Sequence, residues 1–282
     1  MQRITFTNSV GQSIVLGHTA PFVLSSIDGL GDVDAEIQSQ KAPNQDGNTF
    51  LYSNLETRHI SMGITILGTD VLKRRKEIAS VFNPKLGVGV LRYENKNELK
   101  EIKAIPEHVP SFPSGDSRGR VYQSCLIDLV CPNPYWQSQR IKADPIFEPL
   151  FKFPFSGKFR MGYQRERQII LNDGDVSTPL YIELFGPAVA PKITNETTGE
   201  FIRVNRELSE GEHLRINTAR GRQKSVIHVD ANGTETNAFH WIDLDSTFFQ
   251  LELGENTLVY SADSNIQGAT VNIEYRNLYV GV

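Results

Sequence analysis

Side chains able to do chemistry are scattered along this chain rather than gathered into a motif. The six histidines, His18, His59, His108, His213, His228 and His240, form no H-E-x-x-H pair and stand at no zinc-finger spacing from a cysteine. Both arrangements place nitrogen and sulfur ligands around one zinc ion, so neither a catalytic nor a structural zinc site is expected. No nucleophile elbow and no phosphate-cradling loop is expected either. Asp28, Asp32 and Asp34 cluster around Gly29 and Gly31, and hard cations favour such oxygens. A calcium loop that opened at Asp28 would need its closing glutamate where Ser39 stands, so the cluster reads as a glycine-rich surface turn. Asp243 and Asp245 would share one face of a strand. Two carboxylates across a glycosidic bond cannot be read from that spacing. Asn195-Glu196-Thr197 and Asn232-Gly233-Thr234 match the glycosylation pattern, but no secretion signal accompanies them. The expectation is a protein with no catalytic residue, no metal and no cofactor.

The elements that would carry these residues are mostly strands. Val271, Ile273 and Tyr275 alternate with Asn272, Glu274 and Arg276, and Phe249, Leu251 and Leu253 alternate with Gln250 and Glu252. Period-two alternation predicts half-buried strands. Ser225–Asp230 runs into Asn232-Gly233, a tight-turn signal because both residues accept positive φ. Gly254-Glu255-Asn256 and Asn172-Asp173-Gly174 predict further turns. One helix is predicted over Val71–Phe82, capped by Thr69 or Asp70 and stopped by Pro84. Val71, Leu72, Ile78, Ala79 and Phe82 would form its apolar face, with Lys73-Arg74-Arg75-Lys76 mostly on the solvated side. Cys125 and Cys131 fall in one predicted strand, Val121–Cys131. They would lie roughly 20 Å apart, beyond disulfide reach, so two buried free thiols are expected.

The 282 residues suffice for two domains without staples, and 39% hydrophobic with 22% charged residues is ordinary for a globular protein. A formal net charge of −4 argues against tight duplex binding, which needs a basic surplus. No apolar run approaches the roughly 20 residues of a membrane span, and Met1–Thr7 has no signal-peptide character. Pro132, Pro134, Pro145 and Pro149 mark a boundary. The expected division is residues 1–136, a linker over 137–149, and an all-β domain over 150–282. Pro110–Arg120 reads as an exposed loop.

Several local patterns follow one another in a telling order: Ser26-Ile27-Asp28-Gly29-Leu30, Pro43-Asn44-Gln45-Asp46-Gly47, Arg58-His59-Ile60 leading an alternating strand, a helix ending Asn83-Pro84, and Cys131-Pro132-Asn133-Pro134-Tyr135-Trp136. Leu253–Tyr260, Val271–Tyr275 and Tyr279-Val280-Gly281-Val282 complete the set. The ordered set resembles the distal tail protein family of siphophages, found in phages and prophages of Gram-positive bacteria, over nearly the whole chain. Glu148–Gln168, with Phe151, Phe153, Phe155 and Phe159, is the weakest match.

The resemblance implies a mainly β fold with one helix. An N-terminal tail-tube-like split β-barrel or sandwich domain carrying the α-helix would precede a C-terminal galectin-like β-sandwich. It implies a structural adaptor at the virion tail tip, made and assembled in the bacterial host cytoplasm, and not an enzyme. Six copies would form a ring joining the tail tube protein to the tail-associated lysin, fibre or baseplate proteins. DNA would pass through the channel without specific binding, and no membrane insertion is expected. Gly29 and Gly47 would serve turns of positive φ, and Asp46 would bond its own turn. Arg58 would open a strand, either forming an ion pair within or between subunits or standing as an ordinary exposed arginine. Pro84 would end the helix, Tyr135 and Trp136 would pack across the domain junction, with partner binding as the alternative, and Asn256 belongs to the C-terminal motif. The alternative reading is a carbohydrate-binding host-adsorption module facing a cell-wall glycan, with Trp241 beside His240 and the Phe248-Phe249 pair as its aromatic candidates. For Trp241 and Phe249 a place in the sandwich core is the plainer expectation.

Overall fold

The structure is a computed structural model that describes residues 2–96, 98–143, 167–264 and 270–282. Residues 144–149 of the expected linker, with Pro145 and Pro149, lie outside the described residues. So does most of the Glu148–Gln168 stretch, including Phe151, Phe153, Phe155 and Phe159. The chain forms two compact units, Met1–Gln139 with Tyr279–Val282, and Arg140–Leu278.

The first unit is built on one antiparallel path. It comprises β1 (Arg3–Thr7), β2 (Ser13–Leu16), β3 (Phe22–Asp28), β6 (Arg58–Leu67), β7 (Gly89–Asn95), β8 (Glu98–Pro106) and β9 (Tyr122–Cys131), with a separate ribbon of β4 (Ala35–Gln40) and β5 (Thr49–Leu55). The order is β2-β1-β7-β8-β9-β6-β3. The two ends of the path meet only through a parallel bridge between Gly17 and Val23, so the sheet folds over on itself without closing into a barrel. Strand alternation explains the core. In β6, Ile60, Met62, Ile64 and Ile66 point inward with Arg58 in the same register, and in β9 Cys125, Ile127, Leu129 and Cys131 do so. Both cysteines are free and buried. Burial pushes each thiol up to about 12, against weaker opposing pulls from Arg75 on Cys125 and Arg58 on Cys131.

Helix α1 spans Val71–Val81 and buries Ile78 and Val81. Phe82 follows and stacks on Phe6 with ring centroids 4.5 Å apart. The expected apolar face needs correction at Leu72, which is exposed. Six residues before Ile78, it lies about 240° around a 3.6-residue helix. The basic run is only partly solvated. Arg74 lies 5.8 Å from the Phe22 ring centroid and Arg75 lies 4.5 Å from that of Phe112, so both flank the buried face. Asp70 stands at the N-cap but makes no side-chain capping bond.

The second unit is a sandwich of two sheets. Six strands run in the order β11 (Ile141–Ala143), β22 (Thr270–Tyr275), β13 (Leu180–Phe185), β18 (His213–Asn217), β19 (Ser225–Val229) and β20 (Glu235–Asn237). Four run β12 (Arg167–Asn172), β21 (Gly254–Ser261), β15 (Lys192–Asn195) and β16 (Glu200–Arg203). Alternating residues from both sheets form one apolar core, among them Ile182, Leu184, Ile193, Ile216, Leu258 and Ile273. The predicted strand over Phe249–Leu253 is replaced by an irregular segment with a single bridge, Thr178 to Leu251. Phe249 and Leu251 are buried, whereas Leu253 is exposed beside the positive-φ Gly254. The fold is therefore mainly β, with one α-helix among the described residues and sandwich-like sheets.

Candidate assembly interface

A charged side chain ending up on the inward face of β6 needs an explanation, because an unpaired buried cation is costly. Arg58 is wholly buried, and its guanidinium spends its donors on backbone carbonyls. Nε donates to Pro134 O at 2.8 Å, and Nη1 donates to Gly29 O at 2.8 Å and to Asp32 O at 3.0 Å. Nη2 donates to Val280 O. Burial draws the Arg58 pKa below its ordinary value, against the pull of Cys131 and Asp32. The expected ion pair is thus replaced by a clamp of backbone dipoles, to which the planar fork is suited. The clamp joins the loop after β3, the loop before β10 (Trp136–Gln137) and the last residues of the chain.

Two neighbours fix the same loop. Trp136 is buried in the core of the first unit, donates from Nε1 to Leu30 O at 3.0 Å, and meets the Tyr93 ring edge-on. Gly29 has φ +85°, and a Cβ there would lie 1.9 Å from His59 O, so glycine is required by both conformation and space. Tyr135 is half-buried, and its N–H donates to Asn133 Oδ1 at 3.1 Å. Lys100 completes the strap: its ammonium lies 4.0 Å from the Tyr279 ring centroid and donates to Gly281 O at 3.3 Å.

The clamped loop is the root of the β4–β5 ribbon, closed at its base by Glu56 N–H donating to Asp34 O at 2.8 Å. No face of the ribbon is buried. Ile37, Phe50, Leu51 and Tyr52 are 66, 62, 53 and 53% exposed. A two-stranded ribbon is marginal alone in water, and clustered exposed apolar side chains mark interaction surfaces. At its tip, Gly47 has φ +73°. The tip is bonded by Gln45, whose Oε1 accepts from Ala42 N–H and whose Nε2 donates to Thr49 Oγ1, and by Asn48 donating to Ser39 Oγ. The role expected of Asp46 falls to Gln45, and Asp46 is exposed. Pro84 opens a 3₁₀ turn after the helix, with Asn83 Oδ1 accepting from Lys85 N–H at 3.0 Å.

In the second unit Asn256 is buried. Its amide donates to Glu252 O and Gly254 O, while Oδ1 accepts from Glu252 N–H and from Asn195 Nδ2 at 3.2 Å. Asn195 is itself buried and bonded, so the first glycosylation-like sequence is closed in the folded chain. Phe249 lies in the core, and Trp241 and Phe248 pack against it. Trp241 is flanked by the His228 and His240 rings.

The remaining chemical candidates have structural roles. Among the described residues no cluster of three or more His, Cys, Asp or Glu side chains could hold a metal. The Asp28–Asp34 loop offers carbonyls to Arg58 instead. Asp243 and Asp245 lie in a turn, where Asp243 Oδ1 accepts from Asp245 N–H at 2.9 Å and Oδ2 accepts from Asn205 Nδ2 at 2.8 Å. Gly115-Asp116-Ser117-Arg118-Gly119 spells G-x-S-x-G. Its backbone is a 3₁₀ turn at Gly115–Ser117 in the loop between β8 and β9, not a strand-to-helix elbow. Among the described residues no histidine bonds Ser117. His108 bonds Asp128 Oδ2 at 2.9 Å, and Ser61 donates to Asp128 Oδ1, so the carboxylate sits between serine and histidine. That is the wrong order for a nucleophile and its base.

Comparison with known proteins matches this architecture. The family described as phage tail protein RIFT-related domain matches residues 9–131, and the siphovirus-type tail component, C-terminal domain, matches residues 173–279. Among solved structures the chain is similar to the Dit protein (gp 19.1) of phage SPP1, described as a paradigm of the hub adsorption apparatus of phages infecting Gram-positive hosts. That match has a TM-score of 0.67 and 12% identity over 98% of each chain. It is also similar to a chain of the phage P2 baseplate in its activated conformation with Ca, with a TM-score of 0.53 and 12% identity over 97% of this chain and 98% of that one. No curated protein matches the chain in sequence. The two matched domains, in this order and covering both units, show that the chain belongs to the siphophage distal tail protein family, whose members are structural components of the phage tail.

Proposed function

We propose that the chain is the ring-forming adaptor of a siphophage or prophage tail tip. Six copies close a ring, and the ring joins the tail tube protein to the tail-associated lysin, fibre or baseplate proteins. The first unit, Met1–Gln139 with Tyr279–Val282, forms the ring, and the second, Arg140–Leu278, faces the tip proteins; the strand Ile141–Ala143 replaces part of the expected 137–149 linker. The observation that carries this reading is the β4–β5 ribbon. Its root is held by Arg58, Trp136 and Gly29, and its apolar side chains stay exposed among the described residues. A rigidly rooted arm that leaves apolar area in water suits a contact with a neighbouring subunit. A heterologous contact of that kind closes into a ring when its rotation closes. The net charge of −4 is compatible with DNA passing through a channel that does not grip phosphate.

Light scattering on the purified chain, followed by negative-stain imaging, tests the proposal. Rings of six are expected at high concentration or with the tail partners present. A chain that stays monomeric under both conditions refutes it.

A further inference from the structure

A cleft of about 380 Å³ opens at the free edge of the six-stranded sheet in the second unit. It is lined by Lys224, Ser225, Ile227, Glu235, Asn237 and Phe239, with Val226 and Thr236 completing the wall. Its size falls at the small end of ligand clefts, enough for one or two six-membered rings.

Two kinds of side chain meet there. Phe239 is 45% exposed and lies nearly parallel to Phe248, with centroids 5.3 Å apart and planes 5° from each other. The Lys224 ammonium lies 4.7 Å from the Phe248 centroid. Stacking on Phe248 fixes the Phe239 plane, giving a flat apolar platform at the cleft wall. Around it stand a hydroxyl at Ser225, an amide at Asn237, an ammonium at Lys224 and a carboxylate at Glu235. Asn237 Oδ1 accepts from Phe239 N–H at 2.9 Å, which orients the amide at the cleft wall. Glu235 is tied across β19 to Arg215 on β18, and Arg215 Nε is buried without an acceptor among the described residues.

The lining carries one positive and one negative group, so the cleft does not select a charged ligand. A flat hydrophobic face beside mixed donors and acceptors complements a molecule with an apolar ring face and a rim of hydroxyls. We propose that this cleft is a saccharide-binding site that takes one or two rings of a neutral glycan, with Phe239 as the stacking platform and Asn237, Ser225 and Lys224 as hydroxyl partners. The site lies within the second unit and does not rest on the proposed assembly role of the first. A peptide strand is the less suitable ligand, because β20 offers only the three residues Glu235–Asn237 for pairing.

Saturation-transfer difference NMR on the full chain, with lactose, maltose, cellobiose and N,N′-diacetylchitobiose as probes, tests the proposal. Transfer to ring C–H protons of at least one disaccharide is expected. It should fall at least tenfold in Phe239→Ser and severalfold in Lys224→Ala, which changes an exposed residue and guards against misfolding of the first variant. No transfer from any probe overturns the site. So does transfer that both variants leave unchanged, and so does edge occupancy by a tail protein with no saccharide signal.

Discussion

Two adjoining regions of the first unit invert the usual division between inside and outside. At the root of the β4–β5 ribbon a full positive charge, Arg58, is buried, while on the ribbon itself Ile37, Phe50, Leu51 and Tyr52 stand in water. Charged residues are the rarest in cores, and large exposed apolar clusters are rare on monomers. The inversions are of different kinds. Arg58 is satisfied by the chain's own carbonyls, so it serves the fold. The ribbon's apolar groups stay exposed among the described residues, so under the proposed function they serve a contact outside the chain. If that division holds, changes at the root should destroy stability, and changes on the ribbon should leave stability alone and destroy assembly.

The largest effect is expected at Arg58. Arg58→Ala leaves the carbonyls of Gly29, Asp32, Pro134 and Val280 without their shared donor, and removing one side of a buried charged network costs on the order of 3–5 kcal/mol. Denaturant unfolding followed by probes of the first unit should show the loss. Arg58→Lys should recover only part of it, because an ammonium keeps the charge but not the planar fork. Gly29→Ala comes next, at roughly 2–4 kcal/mol, from positive φ and the collision with His59 O. If the root tolerated either change, the clamp would not be what holds the ribbon.

The second unit supplies a control in which a neutral group does similar work. Asn256→Ala leaves Glu252 N–H and the Asn195 amide unpaired in the interior, a loss of about 1–3 kcal/mol. It should lower the unfolding midpoint of the second unit and leave the first unchanged. A loss as large as that at Arg58 would mean that charge is not what distinguishes the clamp.

The thiols give a pH reading of the first unit's core. In the folded chain Cys125 and Cys131 titrate near 12 rather than 9. A folded pKa above the unfolded one contributes stability that is fully present below about pH 9 and is lost as the pH rises toward 12. The slope is at most about 1.4 kcal/mol per pH unit for each thiol. Native chain at pH 8 should resist a thiol reagent until it is unfolded. In Arg58→Ala, Cys131 should label before Cys125, since Arg58 and Cys131 are paired across β6 and β9.

How much of this was legible in the sequence depends on the range of the interaction. Alternation in β6, β9 and β22 and the turn at Asn232-Gly233 depend on neighbours a few residues away, and they were read. The order of motifs carried the family. The clamp was not legible as such: the acceptors of Arg58 lie 26, 29, 76 and 222 residues away along the chain, and backbone carbonyls leave no mark in residue identity. Arg58 at a strand start in step with Ile60 and Met62 was the one available signal, since that register turns it inward. Leu72 was misplaced because a helix end carries too few residues to define a face. The Phe249–Leu253 alternation proved irregular because the positive-φ Gly254, which opens β21 where a turn over Gly254-Glu255-Asn256 was expected, sets Leu253 outside the inward set.

The smallest effect on stability, and the most decisive for the comparison, is expected on the ribbon. Phe50→Ser with Tyr52→Ser changes two side chains more than half exposed, and substitutions that touch nothing in the fold usually stay within about 0.5 kcal/mol. The double variant should unfold at the wild-type denaturant midpoint and keep its thiols protected. If the chain forms the proposed rings, light scattering should nevertheless show this variant as monomers at concentrations where the wild-type chain assembles, because burial of two aromatic side chains per contact would be lost from every interface at once. If the variant were destabilised, the ribbon would belong to the fold of its own chain. If the variant were equally stable and still ring-forming, the assembly surface would lie elsewhere on the first unit, and the clamp would be rooting an arm with another task.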